Sequence, residues 1–335
     1  MSLLERWVSD LERDAPFSRE DAPEPRPRTS GAVARSGDEL LEAPGGKWVD
    51  VEAPTEEELW KLAPRFGLHR LEIEDCMHLG QRPKVEEYPG HVFIVLQGFT
   101  CDTGDPTQLD LQELHLMVAD DWLLTVHEHH LKTVEGVRAR MTADPQQSWP
   151  RGFDFIAYLL ADALVDAAFP VLDLLNDALD ELETQIFEAP KREHLERIWT
   201  LKRPLMQMRR VLSPQRDAVG LLSRRGIPHI QDRTTLYFRD VYDHLIRVYE
   251  QLESARDLLS NDMEAWLGVT ANRTGEVSKQ LTVIATIFLP LTFITGFFGQ
   301  NFEALQTPRF YWLMLASMVL LPTGFLLWFR KKEWM

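Results

Sequence analysis

Two apolar runs near the end of the chain set its architecture. Residues 281–299 read LTVIATIFLPLTFITGFFG and residues 310–329 read FYWLMLASMVLLPTGFLLWF, and neither contains a charged side chain. Each has about the 20 residues that a helix needs to cross a hydrocarbon core of about 30 Å. Only QNFEALQTPR joins them. The chain is therefore expected to cross at 281–300, turn in a short extracytoplasmic loop at 301–309, cross back at 310–329 and end in a basic tail at 330–335. Arg330, Lys331 and Lys332 follow the second run at once, and positive charge beside a span marks the cytoplasmic side. Both termini and residues 1–280 are expected there, inside an inner or plasma membrane.

Upstream of the spans the apolar positions keep a helical period. Leu172, Leu175, Leu179, Leu182 and Ile186 recur at three and four residues, while Asp173, Asp177 and Asp180 share another face, read as solvated. A basic helix carrying Lys202, Arg203, Arg209, Arg210 and Arg216 follows, interrupted by Pro204 and Pro214. Val241, Leu245, Val248, Leu252, Ala255 and Leu259 then hold a four-three-four-three-four spacing, with no proline between Pro228 and Pro290. That pattern predicts one helix from about residue 234 to 299, about 100 Å long at 1.5 Å per residue, passing from the cytosol straight into the membrane. A stalk with one apolar seam needs partners to cover it, and oligomerisation supplies them.

Before residue 150 the period changes to two. Short strands are expected at 48–51, 91–99 and 121–129, with LDLQELHLMV alternating between the last two. Thr55 and Glu58 form a capping-box pattern at the start of a helix. Residues 47–150 thus read as a cytoplasmic α/β domain and 151–280 as a helical region that includes the stalk. Residues 1–46, rich in Pro, Gly and charge without a sustained period, read as a mobile arm.

Charge and composition narrow the function. The formal net charge is −16, and all but four of the basic and two of the acidic side chains lie before Leu281. Such a field attracts cations and repels nucleic acid. The opening MSLLERWVSDLERD is charged throughout and lacks the apolar core of a signal peptide. Cys76 and Cys101 make no disulfide framework. No GxxxxGK[ST] loop, nucleophile elbow or HExxH occurs, so neither an ATP-driven pump nor an enzyme is expected, and no prosthetic group. If the strand at 121–129 continues to its end, His127 and His129 share a face and could bind zinc; the alternative is a solvated strand end.

Several segments together resemble the CorA-type divalent-cation transporters, the two-transmembrane GxN family: WVDVEAPTEEEL, QRPKVEEYPGHVFIVLQ, FRDVYDHL, NRTGEV, LTVIATIFLPLTFITGFFGQNFE and RKKEW. The resemblance covers about residues 47–335. It implies an α+β cytoplasmic domain in three layers (α/β/α), then long stalk helices and two transmembrane helices, assembled as a homopentameric funnel in the bilayer. The first span would line a pore for magnesium, cobalt or nickel. By the same resemblance Thr292 faces the pore, Leu281 and Leu289 form apolar constrictions, and Gly299, Gln300 and Asn301 stand at the outer mouth. Asp75 and Asp240 correspond to a regulatory metal site between subunits. Two positions depart from the magnesium branch: Gln300 replaces the methionine of Gly-Met-Asn, and Gly275 stands where an Asn ring is usual. These leave open a ZntB-like zinc transporter or a poorly conducting scaffold with the same fold.

Overall fold

A computed structural model describes residues 39–43, 46–101, 104–143, 149–299, 308–332 and 334. Residues 1–38 of the expected arm, and Gln300 and Asn301 with the loop to 307, lie outside the described residues. Six strands form one sheet: β1 Glu39–Ala43, β2 Gly46–Glu52, β3 Lys84–Tyr88, β4 His91–Thr100, β5 Asp110–Val118 and β6 Trp122–His127. Their order is β1-β2-β6-β5-β4-β3, with β2 and β6 parallel and every other pair antiparallel. β1 falls within the stretch read as an arm.

Both faces of the sheet are covered, which explains why β4 reads HVFIVLQGF as a nearly continuous apolar run. Phe93, Val95, Met117, Leu124 and Val126 face α1 (Glu56–Phe66) and α2 (Arg70–Met77) through Leu59, Phe66 and Ile73. The alternate positions Trp48, Val92, Ile94, Leu96, Leu114 and Leu123 face α3 (Lys132–Ala143) and α4 (Phe153–Asp166). The result is the three-layer α/β/α domain. α1 starts where the sequence signals it: Thr55 Oγ1 accepts the Glu58 N–H at 3.3 Å, and the Glu58 carboxylate accepts the Thr55 N–H at 2.8 Å. Trp48 Nε1 donates to Thr125 Oγ1 at 3.1 Å, so the largest buried side chain of β2 leaves no polar atom idle.

Three long helices extend this core: α5 Ala168–Glu188, α6 Arg192–Leu222 and α7 Asp232–Phe298. The two seams read from the sequence are buried together, Leu172, Leu175, Leu179, Leu182 and Ile186 against Val241, Leu245, Val248, Leu252, Ala255 and Leu259. Pro204 and Pro214 do not interrupt α6; both rings are buried inside a continuous helix, where packing offsets the backbone bond each proline removes. α7 runs for 67 residues, about 100 Å. α8, Pro308–Lys331, packs back along its end.

Among the described residues three helical stretches are long and apolar enough to cross a membrane, and burial separates them. Residues 153–188 are 61% buried within the protein over their most apolar window, whereas the ends of α7 and α8 are each 6% buried. The first stretch belongs to the protein's own core, and the other two are left for lipid or further copies of the chain.

Gly98 fixes how closely α4 lies on β4, since an added Cβ would stand 2.4 Å from Leu164 Cδ2. Gly98→Val is expected to cost about 1–3 kcal/mol from overpacking. Denaturant unfolding of the full-length protein in detergent checks it, and an unchanged midpoint would contradict the tight contact.

Candidate functional site

The apolar end of α7 presents two unlike faces. Val283 is buried and Ile287, Pro290 and Ile294 half-buried on the side toward α8, while Leu281, Leu289, Thr292 and Phe293 are exposed. At about 100° per residue, Leu281 and Thr292 fall within about 20° of each other around the helix, and Gly299 returns to the same line. Leu289 lies about 80° and Gly275 about 120° from Leu281, and Val283 about 200° away on the α8 side. The expected pore residues therefore sit away from α8, Leu281 and Thr292 most closely aligned and Gly275 at the edge.

Every threonine of this span donates its hydroxyl to the carbonyl four residues back: Thr282 to Ser278 (2.8 Å), Thr286 to Thr282 (2.8 Å), Thr292 to Phe288 (2.9 Å) and Thr295 to Leu291 (3.1 Å). That bond satisfies the proton in an apolar setting and leaves the oxygen outward as an acceptor. Thr292 can thus receive hydrogen bonds from a hydrated cation without itself being a strong ligand. Where the apolar end of α7 begins, Phe329 is buried, stacked on Trp334 with centroids 5.7 Å apart, and Lys279 Nζ lies 6.0 Å from the Trp334 ring centroid.

Asp75 and Asp240 occupy different layers. Asp75 is in the last turn of α2, a helix anchored by Glu72, whose Oε2 accepts the His69 N–H (2.7 Å) and whose Oε1 lies 2.6 Å from buried His91 Nε2. Asp75 is already paired: Lys84 Nζ donates to its Oδ2 at 2.7 Å and to Glu86 Oε1 at 2.8 Å. Partial burial alone would lower the Lys84 ammonium, but hydrogen bonds to Asp75 and Glu86 outweigh it and hold it above its ordinary value. Asp240 stands exposed on α7, on the far side of the sheet.

Around Asp240 the fold assembles a cluster that sequence reasoning missed. His244 Nδ1 lies 3.0 Å from Asp166 Oδ1 and 3.7 Å from Asp162 Oδ1, with Nε2 4.0 Å from Asp240 Oδ2. One ligand atom from each of Asp162, Asp166 and His244 falls within 4.8 Å of the others. Burial and the carboxylates of Asp166 and Asp240 push the Asp162 carboxyl up, against the pull of His244. The signal was an acidic pair four residues apart on α4, but its partner lies 78 positions along the chain.

His127 and His129 do not share a strand face, because β6 ends at His127. His127 is buried with both ring nitrogens engaged, Nδ1 donating to the His129 carbonyl (2.7 Å) and Nε2 to Asp50 Oδ1 (3.1 Å). Asp50 also accepts from Thr125 and Arg138. Burial raises the Asp50 carboxyl, but the bonds from His127 and Thr125 and the charges of His127 and Arg138 outweigh it and hold it below its ordinary value. Burial lowers His127, and the Asp50 bond and charge more than reverse that. The aspartate's contribution is present above pH 3.8 and lost as pH falls through its folded value; the histidine's is present below pH 6.5 and lost as pH rises through its own. Stability should therefore decline as pH climbs above 6.5, and His127→Gln should remove that component. Thermal unfolding across pH 6–9 tests this, and parallel curves would contradict it.

Comparison with known proteins agrees with this architecture. A family model described as CorA-like Mg2+ transporter protein matches residues 44–331. The chain is 37% identical over 273 residues to the cobalt/magnesium transport protein CorA of Thermotoga maritima, covering 81% of this chain and 78% of that one. It is 28% identical over 263 residues to the zinc transport protein ZntB of Pectobacterium atrosepticum, covering 76% and 77%. Among solved structures, the complete CorA magnesium transporter of Methanocaldococcus jannaschii superposes with a TM-score of 0.76 at 25% identity, over 87% of this chain and 92% of that one.

Proposed function

The chain belongs to the CorA-like Mg2+ transporter family, a divalent-cation transporter and not an enzyme, and on that premise we propose that five copies enclose a magnesium-conducting pore. The observation that carries this reading is the single helix α7, which rises unbroken from the cytoplasmic core and presents Leu281 and Thr292 on the face opposite α8. A lone hairpin has no water path, whereas five such faces around an axis enclose one. The domains follow as a cytoplasmic α/β unit to about residue 150, a helical region to 280 and two spans, in an inner membrane with both termini in the cytoplasm.

In this pore each part has a physical task. Magnesium gives up its water reluctantly, so Asn301 at the outer mouth, with Gly299 and Gln300, recruits the hydrated ion by accepting hydrogen bonds from its shell. Thr292 repeats that contact inside the span. Leu281 and Leu289 form constrictions that close by dewetting. Gly275 leaves the inner mouth without an amide ring, which widens the range of ions toward cobalt and nickel. The driving force is the membrane potential, about 2.3 kcal/mol per elementary charge per 100 mV, and a divalent ion feels it twice.

The same ion regulates the pore from the cytoplasm. Asp75 of one subunit and Asp240 of the next repel until a divalent ion bridges them, and Asp162, Asp166 and His244 extend the Asp240 side. Lys84 is the counterion that the metal must displace from Asp75.

Uptake into liposomes tests the pore directly. Magnesium influx should fall by more than about tenfold in Asn301→Ala, a loss of about 1.4 kcal/mol at the mouth. Zinc uptake without magnesium uptake would assign the chain to a zinc carrier, and no uptake of any divalent ion would favour a scaffold. For the regulatory site, millimolar magnesium should protect α7 from protease in the wild type and fail to do so in the Asp75→Ala, Asp240→Ala double variant. Equal protection in both would remove the site.

A further inference from the structure

The apolar seam of α7 continues one step past Leu259. Its four-three spacing puts the next position at residue 262, and an aspartate stands there. Asp262 is 1% exposed, and neither carboxylate oxygen has a hydrogen-bond partner. An ionised carboxylate so placed has lost its water and gained nothing in return.

The surroundings supply no positive charge. From α5, Glu183 and Asp180 add like charge. Trp266, one turn further along α7, donates Nε1–H to the Lys191 carbonyl at 2.8 Å and brings the start of α6 to this level. Of the basic groups there, Arg197 pairs with Glu181 at 2.7 Å, His194 Nδ1 accepts the Lys191 backbone N–H at 3.4 Å, and neither Lys191 nor Arg192 reaches the Asp262 carboxylate. On α7 itself Arg256 pairs with Glu253, and Glu264 is acidic. Among the described residues no cation pairs with Asp262.

A buried carboxylate facing two others can be neutralised by a metal ion or by a proton. The metal needs ligands converging around it; among the described residues the metal-compatible cluster is the one at Asp162, Asp166 and His244, not this one. The proton needs no added space. We propose that Asp262 is a proton-operated latch between α5 and the stalk helix: the neutral carboxyl closes the seam at this level, and the ionised one loosens it.

Burial together with the charges of Glu183 and Asp180 pushes the Asp262 carboxyl up to about 6, from an ordinary value of 3.8. When α5 lifts away and water enters, the carboxyl returns toward that ordinary value. The closed contact then holds a proton that the open one has lost. Rising pH disfavours closure by up to about tenfold per unit between pH 4 and pH 6, and the effect fades to nothing by about pH 7. Near neutral pH the latch stands weakened, and acidification tightens it.

Native-state hydrogen exchange on the full-length protein in lipid nanodiscs, with a chelator present and after correction for intrinsic rates, reads this contact. Between pH 5.0 and 6.0 the protection of residues 176–186 and 255–266 should fall about fivefold in the wild type relative to Asp262→Leu, then about twofold more by pH 7.0, and run parallel to pH 7.5. Asp262→Asn, close in size to the aspartate, should follow Asp262→Leu. Three parallel profiles would overturn the latch, as would protection that ignores pH but rises with added magnesium at fixed pH and depends on Asp262. Because the readout is local and the chelator removes divalent ions, either failure leaves the proposed pore untouched.

Discussion

One constraint governs the rest of the structure: the helix that closes the core beneath the sheet is also a helix long and apolar enough at its far end to cross a membrane. The seam of α7 from Val241 to Leu259 is buried against α4, α5 and α6, each of its large apolar side chains contributing about 1.5–3 kcal/mol relative to exposure. No glycine or proline interrupts it between Asp232 and Leu267, so the helix has no hinge through the core. A displacement of the packing therefore moves α7 as a stiff rod as far as Leu267, and Gly268 and Gly275 lie between that stretch and the apolar run. Control at Asp240 or Asp262 would act on the pore through this rod, without any contact to the ion path.

The membrane end is built for the opposite purpose. Its apolar side chains are exposed in the single chain, among them Leu281, Ile284, Phe288, Leu289, Phe293 and Phe297, and only the narrow face around Val283 is covered by α8. Lipid can take up part of that surface, but the line through Leu281 and Thr292 suits neighbouring copies and water. The back-bonded threonines fit both demands, since the helix stays satisfied where it meets lipid and keeps an acceptor where it meets water. Pro290 removes one backbone donor in mid-span and frees the Thr286 carbonyl, in a segment where helices tolerate such breaks when neighbours or water replace the bond.

The seams, the capping box at Thr55, the apolar run of β4 and the alternation of β5 were legible because each is a local pattern with a single physical cause. β1 and β3 were not; β3 reads KVEEY at the sheet edge, where charge guards an open edge instead of alternating with core residues. The pairing of Asp162 and Asp166 with His244 was hidden because α4 and α7 meet only through tertiary packing. His127 shows a different limit. Spacing suggested a metal pair with His129, while the fold spends both of its ring nitrogens on Asp50 and a backbone carbonyl. Asp262 was in plain view as the seam's next position, but a charge in an apolar register becomes informative only once burial is known.

The account's central claim is that α7 turns its Leu281–Thr292 line toward water and its Val283 line toward α8. Single cysteines placed along residues 278–299, in a chain with Cys76 and Cys101 replaced by serine, measure this through the block of magnesium uptake by a charged thiol reagent. The account predicts block with helical period, strongest at positions 281 and 292 and absent at 283, 287 and 294. Block centred on 283, 287 and 294, or none at any position, would contradict it.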